Sequence, residues 1–175
     1  MNLVERIVVI SESLDRSGID WALGGALALA YATEEPRATR DIDVNVFVPS
    51  SEVDRVFEAM PAGVAHGPAD RRAVMATDQV RLWWDDTPID LFFAADPFHL
   101  DAATRCSEVE FSTRLVRVLC PEDLAVFKAM FDRPKDWVDI AEMASSRALD
   151  RVVAAERLRV LLGNDPRVAR LAKGD

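Results

Sequence analysis

Alternation of polar and apolar side chains along residues 37–48 constrains this chain more than any other stretch of its sequence. Successive side chains of a β-strand point to opposite faces, so residues two apart share a face. In an extended strand the polar face carries Arg37, Thr39, Asp41, Asp43 and Asn45, and the apolar face carries Ile42, Val44, Val46 and Val48. The pattern predicts a strand with one face on a hydrophobic core and the other presenting charged groups.

Asp41 and Asp43 are the chemically unusual part of the polar face. Their carboxylates would lie roughly 6–7 Å apart and repel each other, and a purely structural strand gains nothing from that. A divalent cation would remove the repulsion, so the pair indicates a metal-dependent site. Taken alone, the same spacing also fits two solvated aspartates at a strand end.

Two glycines, Gly24 and Gly25, precede this strand and open an Ala- and Leu-rich segment predicted to be a helix from Ala26 to Ala32. Without a Cβ atom, a backbone can approach a phosphate closely, and the free N–H groups at a helix start attract anions. Glycine pairs are common in tight turns, but one that opens a helix upstream of two spaced aspartates indicates a phosphate-binding turn. Ala26 follows the pair, so that position offers no hydroxyl.

Composition limits the classes to which the chain can belong. Its 175 residues are 50% hydrophobic, enough for a real core and too many for a disordered chain. A formal net charge of −9 and a pI near 4.8 disfavour sequence-independent adhesion to nucleic acid or acidic membranes. The longest uncharged run is 13 residues, too short to span a bilayer. With no recognisable signal peptide, we expect a cytoplasmic protein without a membrane partner.

Periodicity along the chain predicts a mixed α/β region followed by helices only. Predicted helices cover residues 2–16 and 50–60, and further predicted strands cover residues 19–23, 73–76, 80–84, 89–93, 108–111 and 115–119. From Pro121 onward the predicted helices cover residues 121–131, 135–145, 148–162 and 165–172. We therefore divide the chain into an α/β core, residues 1–119, and an α-helical region packed on it, residues 120–175.

Asp90 lies in the predicted strand 89–93, where an acid among apolar residues is costly unless it is paired or metal-bound. If this strand lies beside the one with Asp41 and Asp43, three carboxylates converge. Such oxygens suit Mg²⁺, which takes substrate phosphates as further ligands. Two ions about 3.5–4 Å apart would activate a hydroxyl nucleophile and stabilise the leaving pyrophosphate. Asp90 would then hold the nucleophile-side ion or accept the hydroxyl proton.

At this point a resemblance can be stated. The run GGALALAY, the motif Arg37-x-Thr39-x-Asp41-Ile42-Asp43 and the later Asp90 resemble the polymerase-beta-type nucleotidyltransferase superfamily. Within it, Pro121-Glu122-Asp123-Leu124, Lys128 and Arg133-x-Lys135-Asp136-x-x-Asp139-Ile140 are similar to the AbiEii-type toxin nucleotidyltransferases and their uncharacterised bacterial relatives. The resemblance implies an α+β fold, the minimal nucleotidyltransferase fold of a mixed sheet flanked by helices, with a C-terminal α-helical region. Ala26 departs from the Ser or Thr that many members have after the glycines.

The resemblance also implies roles for individual residues. Gly24, Gly25, Arg37, Thr39 and Lys128 would bind the nucleotide; Asp41, Asp43 and Asp90 would be catalytic and bind Mg²⁺ or Mn²⁺; Asp136 and Asp139 would lie near the cleft. The residues by themselves leave other interpretations open. Lys128 also fits a solvated lysine, and Asp136 and Asp139 also fit local ion pairs with Arg133 or Lys135.

The implied activity is transfer of a nucleoside monophosphate from an NTP to an acceptor hydroxyl. The acceptor stays open between RNA, a protein and a small molecule, as in the aminoglycoside and lincosamide nucleotidyltransferases, and a toxin of this group would have an antitoxin partner. The acidic pI gives no electrostatic footprint for RNA. The remaining alternative is a catalytically inactive nucleotide-binding or interaction module. It predicts that the aspartates fail to converge or that a lysine or arginine fills the metal position.

Overall fold

A seven-stranded mixed sheet is the centre of the fold in the computed structural model, which describes residues 1–174. The strand order is β3-β4-β5-β2-β1-β7-β6. The strands are β1 (Trp21–Leu23), β2 (Ile42–Val46), β3 (Val64–Ala65), β4 (Gln79–Trp84), β5 (Thr87–Phe93), β6 (Ser107–Phe111) and β7 (Arg114–Val118). The α-helices are α1 (Leu3–Arg16), α2 (Gly25–Thr33), α3 (Val53–Ala59), α4 (Pro68–Thr77), α5 (Pro97–Ala102), α6 (Pro121–Phe131), α7 (Pro134–Ser145), α8 (Arg151–Leu162) and α9 (Pro166–Lys173). None of these helices is long and apolar enough to cross a membrane.

Strand β2 lies in the middle of the sheet and sets the position of its neighbours. It pairs antiparallel with β1 on one side and parallel with β5 on the other. Its apolar face is completely buried, since Ile42, Val44 and Val46 are all 0% exposed. In the parallel register Asp43 lies directly opposite Asp90. The strand pairing that would bring the carboxylates together is therefore present.

The polar face of this strand is shorter than the alternating pattern predicts. Strand β2 begins at Ile42, and residues 35–41 form a loop. Pro36 has no N–H to donate to a strand ladder, and Glu34 has a left-handed φ of 57° where α2 ends. The predicted common strand face is therefore wrong for Arg37, Thr39 and Asp41, whose positions are set by loop contacts instead.

The predicted strand over residues 73–76 is also wrong, because these residues belong to helix α4. Pro68 occupies its first turn, and the Asp70 carboxylate accepts a hydrogen bond from the Gly67 N–H at 2.8 Å. Both features favour a helix start. A short apolar run cannot by itself distinguish a strand from part of a helix.

The helices after β7 are tied to the rest of the chain through a buried carboxylate on α6. Asp123 is 0% exposed and accepts from the Arg105 guanidinium at 2.7 Å and from the Arg157 guanidinium of α8 at 2.8 Å. Breaking such a buried pair costs about 3–5 kcal/mol, because one charge is left without a partner. Helix α6 also packs against α2, so its side chains stand beside the glycine turn.

Candidate active site

The three aspartates of the predicted site are among the residues that line one cavity of about 810 Å³. Asp43 of β2 and Asp90 of β5 are register partners, and Asp41 lies at the end of the loop just before β2. We call Asp41, Asp43 and Asp90 the central carboxylates. The structure thus brings together all three aspartates that the sequence singles out.

An arginine that the sequence analysis did not consider lies among them. Arg81 of β4 is the antiparallel register partner of Asp90, and its Nε and Nη2 donate to the two Asp90 oxygens at 2.7 and 2.6 Å. Its Nη2 also lies 3.7 Å from an Asp41 oxygen. The hydrogen bond to Asp90 raises the pKa of Arg81. A fixed positive charge therefore already offsets part of the carboxylate charge.

Asp43 has no directly paired cation, although the charges of Lys128 and Lys135 act on it from a distance. Within residues 1–174 its carboxylate has no hydrogen bond or ion pair. Burial, and then the charges of Asp41 and Asp90, raise the pKa of Asp43 to about 6. Its ionised form is therefore disfavoured until a cation approaches.

The carboxylate oxygens around Asp43 fit a magnesium ion whose remaining ligands are waters and substrate phosphates. In the described part of the chain, no three His, Cys, Asp or Glu side chains form a group that could hold a metal ion. Mg²⁺, however, is usually bound through one or two carboxylates, with waters and substrate phosphates completing its octahedron. Asp41 and Asp43 supply that number of carboxylates, and Asp43 lacks a counter-charge. The residues present fit an ion shared between protein and nucleotide.

Gly24 and Gly25 are also required by the close approach of β2 side chains to the start of α2. A Cβ atom on Gly25 would overlap the Asp43 Oδ2 atom, and one on Gly24 would lie 2.6 Å from the Asn45 Nδ2 atom. Gly25 also has a φ of +51°, a region that L-residues with side chains rarely adopt. The Gly24 N–H donates to the Asp43 carbonyl oxygen at 2.9 Å. Both glycines therefore allow the side chains of β2 to reach the start of α2.

Lys128 lies on the cavity wall but is already paired. Its Nζ donates to an Asp139 oxygen at 2.7 Å, and its side chain is only 10% exposed. Arg37 approaches the same Asp139 carboxylate at 3.3 Å and also pairs with Glu142. We call Arg37, Lys128, Asp139 and Glu142 the helical ion cluster. It lies beside the central carboxylates as a charge-balanced group.

Asp136 and Thr39 mainly organise their own segments. Asp136 is 0% exposed and accepts from the Arg133 side chain at 2.7 and 3.0 Å and from the Arg133 backbone N–H at 3.1 Å. Burial would raise the pKa of Asp136, but these hydrogen bonds outweigh it and the pKa is lowered. Thr39 donates to the Asp41 carboxylate at 2.7 Å, and this bond is the main cause of a lowered pKa at Asp41.

Lys135 is a second cation that the sequence analysis did not assign to the site. It is exposed, lines the cavity and lowers the pKa values of Asp41 and Asp43 through its charge. In the described residues it has no ion pair within 4 Å. The motif that contains it suggested only local pairing on α7.

The far wall of the cavity is aromatic. Phe92 lies two residues beyond Asp90 on β5, and its ring centroid is 5.9 Å from that of Phe131 at the end of α6. The guanidinium carbon of Arg133 lies 4.9 Å from the Phe131 ring centroid. The cavity wall therefore carries these aromatic rings as well as the central carboxylates.

Comparison with known proteins shows the family to which the chain belongs. Residues 8–173 match the family described as "Nucleotidyl transferase AbiEii toxin, Type IV TA system". The chain belongs to the AbiEii family. The predicted resemblance to this family and the predicted enzyme class, a nucleotidyltransferase, are thereby confirmed. No protein with a curated description matches the sequence.

Solved structures share the AbiEii chain's fold at low sequence identity. The antibiotic-resistance factor ANT(2'')-Ia is 16% identical, with 97% of this chain and 88% of that chain covered and a TM-score of 0.55. The lincosamide antibiotic adenylyltransferase LnuA, solved with lincomycin, is 13% identical, with 81% and 96% covered and a TM-score of 0.54. An antigenic nucleotidyltransferase-like protein from Paracoccidioides brasiliensis is 14% identical, with 97% and 92% covered and a TM-score of 0.58. These likenesses confirm the predicted α+β fold.

Replacing Asp43 by Asn is expected to stabilise the metal-free protein at pH 8 but not at pH 4. Because the folded-state pKa of about 6 exceeds the ordinary value, the wild type gains stability at low pH and loses it as the pH rises through 6. The resulting advantage of Asp43→Asn at pH 8 is about 1–3 kcal/mol. Urea unfolding in EDTA at both pH values measures it, and a difference that does not change with pH would contradict it.

Gly25→Ala is expected to destabilise the protein by about 1–2 kcal/mol, because the new methyl group overlaps Asp43 Oδ2 at a left-handed φ. Gly67→Ala is the matched control, since nothing lies within 4 Å of a Cβ there and its φ is extended. Thermal unfolding compares the two variants. Equal melting temperatures would show that Asp43 does not pack against the glycine turn.

Proposed function

We propose that this AbiEii-family protein is a Mg²⁺-dependent enzyme that transfers a nucleoside monophosphate from an NTP to an acceptor hydroxyl. The observation that carries the proposal is the Asp43 carboxylate, which has no hydrogen-bond or ion-pair partner in the described residues and is held against the glycine start of α2, next to Asp41. The start of α2 attracts anionic phosphates, and two carboxylates without a full counter-charge attract a cation. A metal–triphosphate complex satisfies both requirements at once.

In this proposal Asp41 and Asp43 hold Mg²⁺, for which Mn²⁺ can substitute. The bound ion would offset phosphate charge and favour attack at the α-phosphate. The residues of the chain position the reactants. The N–H groups of the first turn of α2, beginning at Gly25, have no partner within the helix and face the phosphates. The central carboxylates orient the α-phosphate relative to the acceptor.

The helical ion cluster supports a phosphate-binding role for Lys128. Asp139 is shared between Lys128 and Arg37, so it keeps one positive partner when Lys128 turns towards a triphosphate. The cost of releasing the lysine is lower than it would be for an isolated buried pair, where the acid would be left alone. Lys135, exposed on the cavity rim, adds a second positive charge for the same phosphates.

Arg81 does not make the site an inactive one in this proposal. The inactive-module alternative predicts a lysine or arginine at the metal position, and Arg81 does lie next to Asp90. It leaves Asp43 without a partner, however, and lies farther from Asp41 than from Asp90. Asp41 and Asp43 therefore remain available to one cation.

We further propose that the protein acts in the cytoplasm as the toxin of a toxin–antitoxin pair, because the family that it belongs to carries that description. A small-molecule acceptor is the second candidate. The cavity with its aromatic side chains favours it, as does the net charge of −9, which repels nucleic acid. The two candidates share the same nucleotide chemistry and differ only in the acceptor.

NTP binding is expected to require Mg²⁺ and Asp43. By isothermal titration calorimetry, the wild type should bind at least one of the four NTPs, and EDTA or Asp43→Asn should weaken binding at least about tenfold, or 1.4 kcal/mol. Asp101→Asn on the exposed side of α5 is the matched control and should behave as the wild type. Equal NTP affinity in Mg²⁺ and in EDTA would contradict the proposal.

Expression in a bacterial host distinguishes the two acceptors. A toxin is expected to arrest growth in the wild-type form but not as Asp43→Asn at equal protein level. A drug-modifying enzyme is expected to leave growth intact and to raise the inhibitory concentration of an aminoglycoside or lincosamide, again only with Asp43 present. Growth arrest that persists in Asp43→Asn would mean that nucleotidyl transfer is not its cause.

A further inference from the structure

We propose that Arg81 is the built-in second cation of this site. It neutralises Asp90, so the nucleotide-free protein binds one divalent ion, through Asp41 and Asp43, and a second ion is excluded from Asp90 while Arg81 is present. This proposal rests on the metal dependence proposed above. It replaces the sequence-based expectation that Asp90 is itself a metal ligand.

The backbone fixes Arg81 in this position. Strand β5 lies between β4 and β2, so Asp90 has Arg81 as its register partner on one side and Asp43 on the other. The three side chains stand in a row across three adjacent strands. Arg81 needs no loop movement or domain closure to reach Asp90.

Arg81 and Asp90 form a bidentate ion pair. Nε and Nη2 of Arg81 donate to separate oxygens of Asp90 at 2.7 and 2.6 Å. Such paired, charge-assisted bonds are stronger and more directional than a single contact. Both Asp90 oxygens are engaged by the guanidinium, so a metal ion at Asp90 would have to compete with it directly.

The ion pair between Arg81 and Asp90 is exposed at the arginine but largely buried at the aspartate. The Arg81 side chain is 50% exposed, which by itself would suggest a weak interaction. The Asp90 side chain is only 18% exposed and faces two further carboxylates. Removing Arg81 would therefore leave a largely buried, crowded negative charge, and a divalent ion is the natural replacement.

The charge count agrees with one ion. The central carboxylates carry three negative charges, and Arg81 returns one positive charge, which leaves two. The helical ion cluster adds nothing, because Arg37 and Lys128 balance Asp139 and Glu142. The exposed Lys135 reduces the remaining negative charge further. One divalent cation is therefore enough to offset the remainder, whereas two without a nucleotide would leave an excess of positive charge.

Mn²⁺ titration without nucleotide, followed by the electron paramagnetic resonance signal of free Mn²⁺, tests the proposal. The wild type and Asp90→Asn should each bind one ion, since Asp90 is not a ligand, and the affinity of Asp90→Asn should be lower because Arg81 loses the charge that balances it. Arg81→Gln should bind a second ion or bind the first at least about tenfold more tightly. Asp43→Asn should lose binding.

Two ions in the wild type would overturn the proposal, and so would the same stoichiometry and affinity in the wild type and Arg81→Gln. In both cases the metal dependence of the enzyme would still stand. Absence of Mn²⁺ binding in the wild type and in Arg81→Gln alike would overturn this proposal, whereas the metal dependence of the enzyme is decided separately by the calorimetric NTP titration with and without Mg²⁺.

Stability gives a readout that does not depend on activity. In EDTA, Arg81→Gln should melt below the wild type, and saturating Mn²⁺ should raise its melting temperature by more than it raises that of the wild type. Arg81→Lys keeps the charge and covers the case in which Arg81→Gln does not fold. It should retain one-ion binding, and two-ion binding by Arg81→Lys would count against the proposal.

Discussion

The parallel pairing of β2 with β5 is the contact on which the candidate site depends. It places Asp43 directly opposite Asp90, and the antiparallel pairing of β5 with β4 adds Arg81 to the same row. The apolar faces of the strands are buried, so a shift of one residue in register would turn every one of these side chains into the core. The burial that stabilises the sheet therefore also fixes the charge pattern of the site.

This arrangement explains why the glycines and the acids occur together. Asp43 can lie at the start of α2 only because Gly25 has no side chain, and in that position its charge is poorly solvated. In the proposed function, joint binding of a cation and a triphosphate would offset the buried negative charge of Asp43. Substrate binding and stability would then be coupled through a single carboxylate.

Much of this site could be predicted from sequence, and the remainder required exact registers. Alternation identified β2, Asp43 was singled out by its repulsion with Asp41, and Asp90 was recognised as an acid among apolar residues. Arg81 was missed because a four-residue hairpin turn, residues 85–88, was expected. The observed turn pairs Trp84 with Thr87, and only that register places Arg81 opposite Asp90. Periodicity defines the face of a residue but not its partner on the next strand.

A crystal structure with Mn²⁺ and a non-hydrolysable NTP analogue, measured at the manganese absorption edge, tests the central claim most directly. The account predicts an anomalous peak within bonding distance of the Asp41 and Asp43 carboxylates and of the analogue's phosphates, with Arg81 still paired to Asp90. A nucleotide bound elsewhere, or bound in this cavity without any anomalous peak at Asp43, would contradict it.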